Sequence, residues 1–175
     1  MKMTDKIELA VEFSTNAHKG QKRKFSNLDY VSHPIFVAEL VSVLKESKNS
    51  EVLIISAILH DTVEDCNISL SEIAEKFGYK VASIVEELTS DSEEIKKLSK
   101  RVYLSEKMIC MSTYALVVKL IDRFHNLSDL KKGSSFTSKY VSETEFVLEQ
   151  LKRRKLTKTH IKIIDLINKR ILELK

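Results

Sequence analysis

An all-α fold is what this sequence predicts, on three observations. Only three glycines and one proline interrupt 175 residues, and these are the residue types that most often stop a helix. Leu, Ile, Lys, Glu and Ser dominate, so long uninterrupted helices are the economical reading. Several segments repeat apolar residues three or four positions apart, the spacing of one helical face. With 43% hydrophobic residues, the chain can bury a sizeable core yet is too short for two well-sized catalytic domains. A compact single domain over residues 1–175 with one function is therefore expected.

The elements follow in order. Leu9, Phe13 and Ala17 keep helical spacing from about Lys6, and Gly20 is placed to stop that helix. A basic loop follows, carrying Lys19, Lys22, Arg23 and Lys24. Pro34 favours a first helical turn, so a helix over Ile35 to Leu44 has His33 at its entrance. From Glu51 the chain is apolar nearly all round until it turns polar at His60-Asp-Thr-Val-Glu-Asp65. This pattern predicts one helix crossing the middle of the core, with its polar end inside.

Ser69 and Glu72 form a capping-box pattern for a short helix that Gly78 ends, and Tyr79 to Thr89 continues helically. The charged stretch Ser90 to Lys100 reads as a loop or an exposed helix start. Ser105 to Asn126 is again almost wholly apolar until Asp122-Arg-Phe-His-Asn126. A loop over Lys131 to Ser138 and two closing amphipathic helices, about Glu143 to Lys155 and Lys158 to Leu174, complete the expectation.

The net charge of +4 and sequence pI near 8.9 suit a polyanionic ligand and fall short of a nucleic-acid signature. Cys66 and Cys110 cannot build a disulfide framework and form no CxxC pair, so they read as core or surface thiols in a reducing compartment. The N-terminus has no apolar signal region, and the run Val52 to Leu59 is too short to span a bilayer. A cytoplasmic protein without membrane partners is the residual expectation. The glycines are too far apart for a phosphate-cradling loop, and no Gly-x-Ser-x-Gly elbow occurs.

Two core helices each end in an acid and a nitrogen-bearing side chain. On a continuous helix, His60 would sit above Glu64 and Asp61 above Asp65, gathering one imidazole and three carboxylates. Ionised carboxylates at the end of a buried segment are costly without a cation, and a divalent metal is the simplest source. Asp122, with Asn126 one turn on, repeats the pattern. For either helix alone, solvated polarity at a helix end would be the simpler reading; together they favour a site. With His33 the donors form a mixed nitrogen and oxygen set suited to Mn, Fe, Ni or Zn.

These segments also resemble a known family. Ala17-His-Lys-Gly-Gln-Lys-Arg-Lys24, Tyr30-Val-Ser-His-Pro34, His60-Asp-Thr-Val-Glu-Asp65, Phe77-Gly78, Glu87-Leu-Thr89 and Lys119-Leu-Ile-Asp-Arg-Phe-His-Asn126 resemble, in order, the hydrolase domain of the RelA/SpoT family within the HD superfamily. The likeness spans about residues 6 to 150. Without room for a synthetase or regulatory region, the chain looks like a stand-alone small alarmone hydrolase. The resemblance implies an HD-domain phosphohydrolase that uses manganese to remove the 3′-pyrophosphate of guanosine tetra- or pentaphosphate, giving GDP or GTP. It implies His33, His60, Asp61 and Asp122 as metal ligands, and Glu64 and Asp65 as the pair that handles the attacking water. Arg23, Lys24 and Asn126 match substrate-contacting positions.

The chemistry is consistent with that implication. A divalent ion lowers the pKa of its water and stabilises phosphoryl charge. Glu64 or Asp65 can take a proton from that water or orient it. The basic loop beside His33 matches a polyphosphate, because a guanidinium grips phosphate bidentately. His18 and His125 read as structural, His160 as a surface residue and Lys152 to Lys155 as a solvated helix face. The stretch after Thr89 departs from the longer bifunctional enzymes, and the region after about residue 150 carries no recognisable motif and could hold an oligomer contact. Two rival readings are a related phosphohydrolase acting on another nucleotide, such as the 2′-phosphate of NADPH, and a non-catalytic nucleotide-sensing module. The intact Glu64-Asp65 pair argues against the latter.

Overall fold

The computed structural model describes residues 3–45 and 50–175, and among them the regular structure is helical: eleven α-helices and one 3-10 turn. The all-α expectation holds. The chain divides into two compact units, the first ending at Thr89 and the second beginning at Ser90. Among the described residues no helix is long and apolar enough to cross a membrane.

The first unit holds α1 (Met3–Ala17), α2 (Ser32–Leu44), α3 (Ser50–Leu59), α4 (Thr62–Asp65), α5 (Leu70–Phe77) and α6 (Tyr79–Leu88). α3 lies at its centre, packed on α1, α2 and α6. Leu53, Ile55, Ala57, Ile58 and Leu59 are buried, as an all-round apolar helix requires. Ser69 caps α5 by accepting from Glu72 N at 3.1 Å. Gly78 ends α5 with φ +93°, a left-handed conformation open to glycine.

The expected single helix from Glu51 to Asp65 is broken. α3 stops at Leu59, and Asp61, with φ −100° and ψ −5°, leads into α4. Side chains take the carbonyls that further helical turns would use: His60 Nδ1 lies 2.7 Å from Ala57 O, and Thr62 Oγ1 donates to Leu59 O at 2.7 Å. The stacking of His60 over Glu64 on one continuous helix therefore does not form. One turn survives beyond the break, with Asp65 N donating to Asp61 O at 2.9 Å.

The second unit holds α7 (Ser92–Leu98), α8 (Lys100–Cys110), α9 (Thr113–Ser128), α10 (Ser135–Gln150), a 3-10 turn (Leu151–Arg153) and α11 (Lys158–Leu174). α9 carries the core residues Ala115, Leu116, Val117, Val118, Leu120 and Ile121, all fully buried, and packs against α10 and α11. The charged stretch after Ser90 is an exposed helix, capped by Asp91 Oδ1 accepting from Glu93 N and Glu94 N.

Three boundaries differ from expectation. The helix read from Ser105 to Asn126 is two helices, because Ser112 caps a new start by accepting from Ala115 N at 3.2 Å. α10 begins at Ser135, inside the expected Lys131 to Ser138 loop, on a Ser134 cap accepting from Thr137 N at 3.0 Å. α10 then ends at Gln150, before the expected Lys155. Within the Lys152 to Lys155 stretch, Arg154 is not simply solvated: its Nη1 donates to the carbonyls of Met108, Ile109 and Met111, where α8 ends. His160, read as a surface residue, is fully buried. Its Nδ1 accepts from Thr157 N at 3.1 Å and its Nε2 donates to Thr113 O at 3.0 Å, so a capping role draws it inward.

Candidate metal centre and its basic loop

α2 opens with Ser32, His33 and Pro34, and the turn before it is closed by His33 N donating to Tyr30 O at 2.9 Å. This sets His33, 1% exposed, beside His60, also 1% exposed, with the rings edge-to-face at 5.2 Å. Both rings turn Nε2 toward Asp61 Oδ2, at 3.6 Å for His33 and 3.0 Å for His60. Tyr30 donates its hydroxyl to the same oxygen at 2.8 Å.

The His60 tautomer follows from its other nitrogen. Ala57 O can only accept, so Nδ1, 2.7 Å away, carries a proton, and a neutral ring then points its Nε2 lone pair at a carboxylate oxygen. Two acceptors at that distance repel unless a proton or cation enters. A backbone carbonyl on one imidazole nitrogen with the other nitrogen beside a carboxylate is the arrangement of a metal-ligating histidine. The donor set therefore fits a divalent ion of the imidazole-binding kind.

Glu64 and Asp65 are exposed on α4. Desolvation, then the negative charges of Asp61 and Glu64, push the Asp65 carboxyl above its ordinary range, against the opposing pull of Tyr30 and His18. A cation on Asp61 would remove part of that push. Gln21 Nε2 donates to Asp65 O at 3.1 Å, and Gln21 Oε1 lies 2.9 Å from His18 Nδ1. Buried His18 thus ties the basic loop to α4, in the structural role expected of it. Cys66 Sγ lies 3.1 Å from His18 Nδ1, and burial pushes its thiol up. Cys66 and Cys110 are both free thiols.

The basic loop is closed by an antiparallel bridge between Lys22 and Asp29, with Lys22 Nζ 2.7 Å from Asp29 Oδ1. One of its four cations is therefore already matched inside the loop. Arg23 N donates to Leu28 O at 2.8 Å, and its guanidinium lies over the Tyr30 ring, 5.6 Å from the centroid. Lys24 Nζ lies over the Phe25 ring at 5.5 Å.

In the second unit, Asp122 is buried on α9 between residues of its own helix. Lys119 Nζ is 3.0 Å from Oδ2, and Asn126 Nδ2 donates to Oδ1 at 2.6 Å. Neighbouring Arg123, also buried, donates to Glu143 Oε1 at 3.0 Å and Thr144 Oγ1 at 2.8 Å, with its guanidinium over the Tyr140 ring at 5.0 Å. Sequence reasoning assigned no role to Tyr30, Lys119 or Arg123. The first stands in the Tyr30-Val-Ser-His-Pro34 motif, and the second is three residues before Asp122 on a foreseen helix. Glu143 and Thr144 lie on another helix, and no spacing rule pairs them with Arg123.

Residues 10–156 match the family model described as HD domain. The chain is 40% identical over 124 residues to guanosine-3′,5′-bis(diphosphate) 3′-pyrophosphohydrolase MESH1 of Xenopus tropicalis, covering 70% of this chain and 68% of that one. It is 35% identical over 125 residues to the protein of the same name from Homo sapiens, with the same coverage. Among solved structures it resembles a metazoan ortholog of SpoT that hydrolyses ppGpp and plays a role in starvation responses. That likeness has a TM-score of 0.77 at 25% identity and covers 94% of this chain and 95% of the other.

Proposed function

This chain belongs to the HD domain family, and we propose from that premise that it is a metal-dependent guanosine-3′,5′-bis(diphosphate) 3′-pyrophosphohydrolase. The observation that carries the reading is the meeting of buried His33 and His60 with the Asp61 carboxylate, His60 Nε2 lying 3.0 Å from its Oδ2, in a chain whose relatives bear that activity's name. The proposed ligands are His33, His60, Asp61 and Asp122, by their motif positions, with manganese as the ion. When bound, such an ion acidifies a water and shields charge developing on phosphoryl oxygens.

The chain's own residues supply the rest. Arg23 and Lys24 hold the phosphates, the guanidinium by paired hydrogen bonds, and Asn126 contacts the nucleotide. The Glu64 and Asp65 pair orients the attacking water and accepts its proton; burial and the neighbouring carboxylates raise the proton affinity of Asp65. One water is consumed, the bond between the 3′ oxygen and its phosphorus breaks, pyrophosphate leaves, and the 3′ oxygen takes up a proton. GDP or GTP remains, according to the 5′ phosphates. The two free thiols are consistent with the proposed cytoplasmic setting.

The test is pyrophosphate release from guanosine tetraphosphate by the purified chain, with Mn²⁺ or with EDTA, beside Asp61→Ala and Glu64→Ala. Release that needs the ion and falls about 10³-fold or more in both variants, a barrier increase of about 4 kcal/mol, is expected. An inert but folded chain that binds Mn²⁺ would overturn the reading and direct the same assay to NADPH and other phosphorylated nucleotides.

A further inference from the structure

Contacts of different kinds meet on Tyr30. Its hydroxyl donates to Asp61 Oδ2 at 2.8 Å, its ring meets His33 edge-on at 5.8 Å and His18 at 4.8 Å, and Arg23 lies over it at 5.6 Å. Its backbone is fixed on both sides, with Tyr30 N donating to Gln21 O at 3.0 Å and Tyr30 O accepting from His33 N at 2.9 Å. A phenylalanine would supply every ring contact. Only the hydroxyl reaches the Asp61 carboxylate, and the same hydroxyl also acts on Asp65.

We infer that Tyr30 is a positioning residue that couples the basic loop to the metal ligands: its hydroxyl fixes the Asp61 carboxylate and its ring carries Arg23. The inference rests on the metal-dependent reading above and assigns a residue that the motif chemistry left without a role. The terminal torsion of an aspartate is soft, so the carboxylate alone does not hold one orientation. A phenol donating to an anionic oxygen makes a short, charge-assisted bond that does. Arg23 over the same ring is attracted by its π face, so the group that grips phosphate and the group that orients a ligand share one rigid side chain. Partners that orient a ligand in this way typically change metal affinity or activity by about 10- to 100-fold when removed.

The experiment compares Tyr30→Phe and Tyr30→Leu in the full chain. Mn²⁺ affinity is measured by titration calorimetry without nucleotide, guanosine tetraphosphate affinity is measured in EDTA, and the thermal midpoint is measured without metal. Tyr30→Phe is expected to weaken Mn²⁺ binding by about 10- to 100-fold while leaving nucleotide affinity unchanged and lowering the midpoint no further than the loss of one hydrogen bond to a carboxylate does. Tyr30→Leu should weaken Mn²⁺ equally and nucleotide binding as well, because Arg23 loses its platform. Wild-type Mn²⁺ affinity in Tyr30→Phe, or a loss matched by an equal fall in nucleotide affinity, would overturn the inference while leaving an active wild-type enzyme intact. A wild-type chain that binds no divalent ion would remove the functional reading and this inference together.

Discussion

The two units each run a buried apolar helix into an aspartate and then treat it in opposite ways. α3 stops at Leu59, and the chain turns through His60 and Asp61, whereas α9 runs through Asp122 to Ser128. The broken helix lets Asp61 meet a partner from elsewhere, Tyr30, 31 positions earlier. The continuous helix gives Asp122 partners at fixed offsets, Lys119 and Asn126. The charge balance differs too. Asp122 has an ammonium 3.0 Å away, while Asp61 faces imidazoles and a phenol, none of which carries an obligatory charge. A break recruits donors from far along the chain; a continuous helix supplies an acid that its own lysine and asparagine already contact.

If the second unit is the pre-balanced one, its buried network should matter most to stability. Arg123→Met would leave Glu143, largely buried, without its guanidinium. Removing one member of a buried ion pair costs about 3–5 kcal/mol, so the urea midpoint should fall accordingly. A loss under about 1 kcal/mol, the range of an exposed pair, would break the comparison by showing that the Arg123 network is not what holds α9 to α10.

This contrast also marks how far the sequence can be read. Apolar runs and end signals are local, so α3 as the central helix, His33 at the entrance of α2 and the Ser69 cap of α5 are all legible in the order of residues alone. The meeting of His33 with His60 and Asp61 is different: short-range signals place each segment, and only the motif likeness brings them together as one ligand set. The break at His60 is not legible, because it depends on His60 and Thr62 side chains taking α3 carbonyls in competition with helical bonds, and apolar periodicity does not report that competition. His160 lies deeper than its sequence context suggests for a related reason: a histidine at the third position of a helix can cap backwards, and burial comes with the cap. The pairing of Arg123 with Glu143 and Thr144 depends on how α9 packs on α10, which no window of sequence contains.

Asn126 sharpens the comparison at intermediate size. The motif likeness makes it a substrate contact, while the structure bonds it to Asp122 Oδ1 at 2.6 Å. A hydrogen bond to a charged group contributes about 1.5–3 kcal/mol, or about tenfold or more in an equilibrium. Asn126→Ala is therefore expected to weaken Mn²⁺ binding about tenfold, at the lower end of effects on ligand-orienting partners. If Mn²⁺ affinity holds and only KM rises, Asn126 acts on the nucleotide alone, and Asp122 does not depend on its own helix for orientation.

The smallest expected effect separates two breaks that look alike in outline. Both interrupt a long apolar run that sequence periodicity reads as continuous, one at His60-Asp61 and one at Met111-Ser112. The first places a metal-ligand candidate at the turn. The second places a serine whose hydroxyl accepts from Ala115 N at 3.2 Å, the work of an N-cap and nothing more. Ser112→Ala should therefore cost about 1 kcal/mol in urea unfolding and leave turnover per folded molecule unchanged. Turnover that fell in step with stability would mean that the start of α9 controls where Asp122 sits, and the two breaks would then belong to one functional design rather than to function in one unit and folding in the other.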